Sequence, residues 1–180
     1  MEDLYIRKVC EGDTDAFRYF VKEYKDMAFS IAVSVVKDEF IAEEVVQDAF
    51  LKAFKGLKSF NRRSKFSTWF YRIVTNEALM QLKKMKKEIV IQHSEYDNDV
   101  EDEGLLLSLQ EHEQAYLINE ALKKIPPKES LVLRLFYLQE ESIKEVCEIT
   151  GWTEANAKVM LHRARKHMLT ALNEIMESEF

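Results

Sequence analysis

Glycine, proline and cysteine are scarce in this chain, numbering four, two and two among 180 residues. With so few breakers, abundant Leu, Lys, Glu and Ala and little apolar–polar alternation, the composition argues against a turn-rich β architecture and for an all-helical one. Long apolar runs are also missing. The longest weakly polar stretch, Met27 to Val36, carries two Ser and falls well short of the roughly 20 residues that cross a bilayer. Met1 to Cys10 contains Glu2, Asp3 and Arg7, which does not read as a secretory signal. Cys10 and Cys147 are isolated and lack metal-ligand spacing, so they read as reduced thiols of a cytosolic, cytoplasmic protein. His93, His112, His162 and His167 are scattered, no Ser or Thr has a fitting His and acid, and there is no Gly-rich phosphate loop. A catalytic centre, a metal, a cofactor and a small-molecule substrate are therefore not expected.

Charge is abundant and sorted into blocks. From Lys55 to Lys87 ten Lys or Arg stand against one acid, Glu77, whereas from Glu88 to Glu120 there are ten acids and no Lys or Arg. The overall charge of −6 conceals both. Fields in physiological salt decay over roughly 8 Å, so a concentrated basic patch still attracts a polyanion on an acidic protein.

Apolar spacing divides the first half into helices. Asp13 or Thr14 suits the cap of a helix reaching about Val36, with Ala16, Phe17, Phe20, Tyr24, Met27, Ile31 and Val35 inward. A second helix from about Glu39 is expected to stop at Gly56 through a left-handed residue. Glu44, Gln47, Asp48 and Leu51 form a separate face on it, suited either to water or to a partner's basic helix. The stretch Phe60 to Arg72 then mixes cations with aromatics. Asn61, Arg62, Arg63 and Lys65 offer phosphate contacts, and Phe66 and Trp69 offer flat surfaces on which an unpaired base could stack, worth roughly 1–3 kcal/mol per base. Trp69 suits the core equally well. Asn76, Met80 and Lys83 lie one helical turn apart, near Lys84 in a terminal lysine cluster.

Beyond an acidic, unpatterned stretch, Glu95 to Glu103, and Gly104, the leucines at 105–107 and 109 suit a short helix or a docking segment. A helix from about Glu111 to Lys124 is expected to precede Pro126-Pro127, with Pro127 opening a central helix through Leu138. Ser142 and Glu145 form a capping box, Gly151 a tight turn, and a last helix follows from Thr153. Thr153, Glu154, Ala155 and Asn156 sit near its start, and Lys158, His162, Arg163, Arg165 and Lys166 on or beside its outward face. The layout suits a DNA-reading helix-turn-helix, though helical hairpins share it.

Four segments in register resemble the extracytoplasmic-function (ECF) group of bacterial sigma factors: Ala42 to Phe50, Lys65 to Ile73, Ala121 to Pro127, and Lys158 with Leu161 to Arg165. The resemblance implies an all-α fold of two small helical domains, residues 1–88 and 111–180, joined by an acidic linker at 89–110, the C-terminal domain being a helix-turn-helix. It implies binding of core RNA polymerase through Glu44, Gln47, Asp48 and Leu51. It further implies opening of the −10 promoter element by Asn61, Arg62, Arg63, Lys65, Phe66, Trp69, Asn76, Met80, Lys83 and Lys84. Duplex −35 DNA would be read by the helix from Thr153, and an anti-sigma protein, often membrane-bound in the group, is an implied inhibitor. Chemistry would belong to the polymerase.

The chain departs from the group where Val159 and Met160 replace a small polar residue and an Arg, where Thr75 and Gln81 replace an Arg and an Asp, and where the basic cluster is all Lys. Lysine supplies charge without bidentate readout. A stand-alone helix-turn-helix regulator and a protein-binding scaffold are the rival readings.

Overall fold

The structure is a computed structural model that describes residues 1–91 and 109–178. Glu95 to Glu103, Gly104 and the leucines at 105–107 lie outside the described residues. Eight α-helices and no strand occur among those described. They are α1 (Glu2–Cys10), α2 (Arg18–Val36), α3 (Glu39–Gly56), α4 (Phe66–Ile91), α5 (Leu109–Lys124), α6 (Pro127–Leu133), α7 (Ile143–Thr150) and α8 (Glu154–Ser178).

Helix α1 is absent from the sequence reading because it buries only Ile6 and Val9, too few to make a visible stripe. It is held by Tyr5, which stacks on Tyr19 of α2 with ring centroids 4.2 Å apart. Asp13 does act as a cap, accepting from the Ala16 N–H at 3.2 Å, but it opens a 3-10 turn, Thr14–Phe17, that leads into α2. Lys37, not glycine, ends α2 in the left-handed conformation, and Asp38 caps α3 by accepting from the Ile41 N–H at 2.9 Å. Gly56 corrects another expectation. Its φ of −84° is right-handed, and the chain continues into the 3-10 turn Leu57–Ser59. The Trp69 ring edge lies 3.5 Å from where a Cβ at Gly56 would sit, an ordinary van der Waals distance, so the ring packs beside this residue without requiring a glycine there. Helices α2, α3 and α4 pack on one another around Phe20, Ile31, Val35, Ala49, Phe70 and Val74, all fully buried.

In the second half, Pro127 occupies the first turn of α6, where its missing N–H costs nothing. The expected helix through Leu138 changes character at Arg134. Residues Arg134–Leu138 form a π turn in which the Gln139 N–H donates to the Arg134 carbonyl five residues back at 3.0 Å. The Ser142–Glu145 capping box is present, and Gly151, at φ 74°, terminates α7 in the left-handed region that favours glycine. Ala157, Leu161, Ala164, Ala171 and Ile175 bury the inner side of α8.

The halves dock. Helix α4 packs on α7, and α2 packs on α6 and the π turn. Polar links that cross the contact among the described residues include Lys65 Nζ to Glu145 Oε1 at 2.7 Å, Arg134 Nη1 to Ser30 Oγ, and the Lys37 ammonium to the Leu122 carbonyl. Burial, then the charge of Arg134, lowers the Lys37 ammonium from 10.5 to about 7. Burial, then the neighbouring Glu145, raises the Glu141 carboxyl from 4.5 to about 7.

These two shifts oppose each other across neutrality. Between pH 4.5 and 7 the unfolded chain releases the Glu141 proton that the folded chain keeps, so stability falls as pH rises. Between pH 7 and 10.5 the unfolded chain keeps the Lys37 proton that the folded chain has released, so stability rises. Glu145, lowered to about 2, titrates below this window. The thermal unfolding midpoint is expected to be lower at pH 7 than at pH 5 or pH 9, and Glu141→Gln with Lys37→Met to flatten the profile.

Candidate functional site

Three exposed surfaces collect the residues singled out from sequence. On α3, Glu44, Gln47, Asp48 and Leu51 all reach solvent. At about 100° per residue, Phe40, Glu44, Gln47 and Leu51 fall on one side, opposite the buried Ala42, Val45, Ala49 and Ala53. Phe40 is 72% exposed and Leu51 55%, so the face alternates apolar and polar groups. Phe40 is absent from the sequence reading because a Phe at a helix start reads as core.

The second surface is the loop ahead of α4 together with the outer side of α4. Asn61 Oδ1 accepts from the Arg63 N–H at 3.1 Å, and Arg62 takes φ 58°, an uncommon left-handed value for a residue with a Cβ. Arg62 also meets Asp3 of α1 at 3.6 Å. Loop and α1 enclose a cavity of about 470 Å³ lined by Met1, Glu2, Asp3, Ile6, Phe60, Arg62, Ser64, Lys65 and Phe66. Along α4, Trp69, Arg72, Asn76, Met80 and Lys83 line up opposite the buried Tyr71, Val74 and Ala78. Arg72, Asn76, Met80, Lys83 and Lys84 are exposed, Lys84 on the flank.

Phe66 must be corrected. It is 2% exposed, with ring centroids 4.3 Å from Phe20, 5.9 Å from Phe70 and 5.5 Å from Trp69, so its ring has no open face on which a base could stack. The first residue of a helix closes over the core below it, and aromatic neighbours on α2 and α4 outcompete solvent. Trp69 resolves to half-buried, lying on Gly56 and on Phe60, whose ring centroid is 5.0 Å away. Arg72 joins this face in the structure, and its place between Trp69 and Asn76 at helical spacing is the sequence signal for it. It makes no ion pair among the described residues.

The third surface is α8. Thr153 accepts from the Asn156 N–H at 3.3 Å, which starts the helix and leaves the backbone N–H groups of its first turn pointing outward. Ala155, Val159, His162, Arg163 and Lys166 face away from the core; Glu154 and Lys158 pair at 2.5 Å on one flank. Arg165 departs from the expected face. Its Nε donates to the Tyr137 hydroxyl at 2.7 Å and its guanidinium lies over that ring, which fixes it to the π turn. Behind it, Ile118, Leu122, Leu138, Met168 and Leu169 line an open apolar groove of about 330 Å³.

Residues 20–88 match Sigma-70 region 2, and residues 116–168 match Sigma-70, region 4. The ECF RNA polymerase sigma factor SigW of Bacillus subtilis (strain 168) is 30% identical across 94% of this chain and 96% of its own length. The chain belongs to the ECF RNA polymerase sigma factors. SigM of the same strain is 27% identical over 87% of this sigma factor and 94% of itself. Its fold is similar to that of the sigma factor RpoE in complex with the anti-sigma factor NepR from Bartonella quintana, with TM-score 0.71, 22% identity, and coverage of 87% of this chain and 96% of that one. It is also similar to CnrH in complex with the cytosolic domain of CnrY, with TM-score 0.64, 18% identity, and coverage of 95% and 96%. This sigma factor directs transcription initiation, in a family of non-catalytic initiation factors, and the stand-alone regulator is set aside.

Phe66→Ala is expected to lower stability by about 3–5 kcal/mol in denaturant unfolding. Arg72→Ala should leave stability within about 0.5 kcal/mol yet weaken binding of single-stranded DNA, read by fluorescence anisotropy.

Proposed function

We propose that this sigma factor binds core RNA polymerase through Glu44, Gln47, Asp48 and Leu51, with Phe40 extending the face. The observation that carries the reading is the pairing, on one three-helix body, of that solvent-facing α3 surface with a cationic and aromatic α4 surface. Acidic and amide acceptors beside exposed Phe and Leu suit a basic amphipathic helix of the polymerase. The −10 element is opened by the Asn61 to Lys65 loop and by Trp69, Asn76, Met80, Lys83 and Lys84. The cavity beside the loop accepts an unstacked base, with Phe66 as its floor and not as a stacking platform, while Arg62, Arg63 and Lys65 meet the backbone.

The −35 duplex is met by α8 in the major groove. Thr153, Glu154, Ala155 and Asn156 approach base edges, and Lys158, His162, Arg163 and Lys166 contact phosphates. Arg165 positions the π turn instead of reaching DNA. Residues 1–88 and 111–180 act as separate modules for the two elements, joined through 89–110. The protein works in the cytoplasm, which agrees with the finding that no described helix is long and apolar enough to cross a membrane. It has no catalytic activity of its own. An anti-sigma protein as regulator is supported by the complex in which RpoE is held by NepR.

With purified core polymerase, promoter-dependent run-off transcription should fall at least tenfold in Gln47→Ala with Asp48→Ala, while the variant's unfolding curve stays unchanged. Equal transcription from wild type and variant would exclude the α3 face. Lys166→Ala with Arg163→Ala should weaken promoter binding evenly across sequences and flatten its salt dependence, as loss of phosphate contacts requires.

A further inference from the structure

Val159 and Met160 are apolar neighbours in the first half of α8, and the fold separates them. Met160 packs against the buried core, whereas Val159 is 51% exposed. At about 100° per residue, Ala155, Val159, His162 and Lys166 fall within about 60° of one another. That stripe runs opposite the buried Ala157, Leu161 and Ala164, so Val159 sits on the outermost line of the helix. Cations border it, Arg163 on one side and on the other Lys158, which pairs with Glu154.

An exposed valine there does little for the helix itself. Its branched Cβ lowers helix propensity, and much of its surface stays in water. The same branching holds χ1 close to one rotamer, so a valine pressed onto a surface gives up little freedom. Its side chain has neither donor nor acceptor. It can recognise only an apolar group, and any polar group that it covers loses water without replacement.

The −35 duplex offers one such group. Each base pair lines the major groove with donors and acceptors, and the thymine 5-methyl is the apolar feature among them. Ala155 and Val159 lie about 6 Å apart along the helix axis, which spans about two base steps of about 3.4 Å. Contacts of the bordering cations with phosphate fix the register of the strip without reading sequence themselves.

Resting on the −35 reading above, we propose that Val159 is a specificity-determining residue that reads the 5-methyl group of a thymine in the −35 element, with Ala155 against a neighbouring base step. Selection at this position comes from burying the methyl and from leaving the polar edge of a G·C pair unanswered. It needs no hydrogen bond. Burial of one methyl contributes about fourfold in affinity.

Holoenzyme made from the full-length protein and core polymerase first selects promoters from a pool of duplexes randomised over both elements. Each thymine of the recovered −35 element, on either strand, is then replaced in turn by deoxyuridine, which removes the methyl and nothing else, and binding is read by electrophoretic mobility shift. At one thymine the replacement should weaken wild-type binding about fourfold. In Val159→Ser the penalty at that thymine should vanish. Arg163→Ala with Lys166→Ala should keep the penalty while weakening every duplex alike, and circular dichroism should show the same helix content in all variants. A −35 element without thymine on either strand, deoxyuridine tolerated by wild type at every thymine, or a penalty unchanged in Val159→Ser would each overturn the assignment of Val159 and leave the −35 reading standing. If no upstream element is recovered at all, both fall together.

Discussion

The aromatic cluster around Phe66 is the contact on which the working surfaces of the N-terminal half depend. Phe20 from α2, Phe70 from α4 and Phe60 from the preceding turn surround it, and Trp69 lies along its edge. Because Phe66 is also the first residue of α4, its burial fixes both where that helix begins and how the Asn61 to Lys65 loop must arrive. The loop's left-handed Arg62 and the Asn61 side-chain turn follow from that constraint. Outward presentation of Trp69, Arg72, Asn76, Met80 and Lys83 is then a matter of helical phase.

Local signals were legible from sequence, and contacts between distant segments were not. Asp13, Ser142 with Glu145, and Gly151 each act within four residues, so their capping roles could be read from spacing alone. Gly56 could not, since it continues right-handed into a 3-10 turn beside Trp69, thirteen positions away in the chain, and does not reverse the backbone. Phe66 and Trp69 sit three apart with similar neighbours, and only the position of α2 decides that one is enclosed and the other half-open. Phe40 and Arg72 carry a signal only in their helical phase, which residue type obscures in Phe40 because an apolar ring ordinarily marks a core position. The docking of the halves depends on Lys37, Ser30 and Arg134, ordinary polar residues whose pairing spans a hundred positions.

Electrostatics gives the chain a divided character. A block of ten Lys and Arg between Lys55 and Lys87 includes the cations of the α4 surface and is followed by ten acids between Glu88 and Glu120, while Lys158, Arg163 and Lys166 lie on α8, so a protein that is negative overall presents two local positive faces. Neither face needs high affinity by itself. Two weak contacts held by one carrier reinforce each other through effective concentration, provided the geometry allows both at once. Spacing between the modules thus matters as much as the side chains on either.

The π turn at Arg134–Leu138 has a consequence for how this chain can vary. A π turn carries one residue more than the α turn it replaces, and here that surplus lets Arg134 face Ser30 while Tyr137 swings round to Arg165. Removing a single residue from this stretch would restore a regular α turn with the flanking chain nearly in phase, because the surplus residue is what the wider turn absorbs. A one-residue deletion here would therefore keep the path of the chain and cost instead the pairings of Arg134 with Ser30 and of Tyr137 with Arg165, contacts that exist only while the wider turn does.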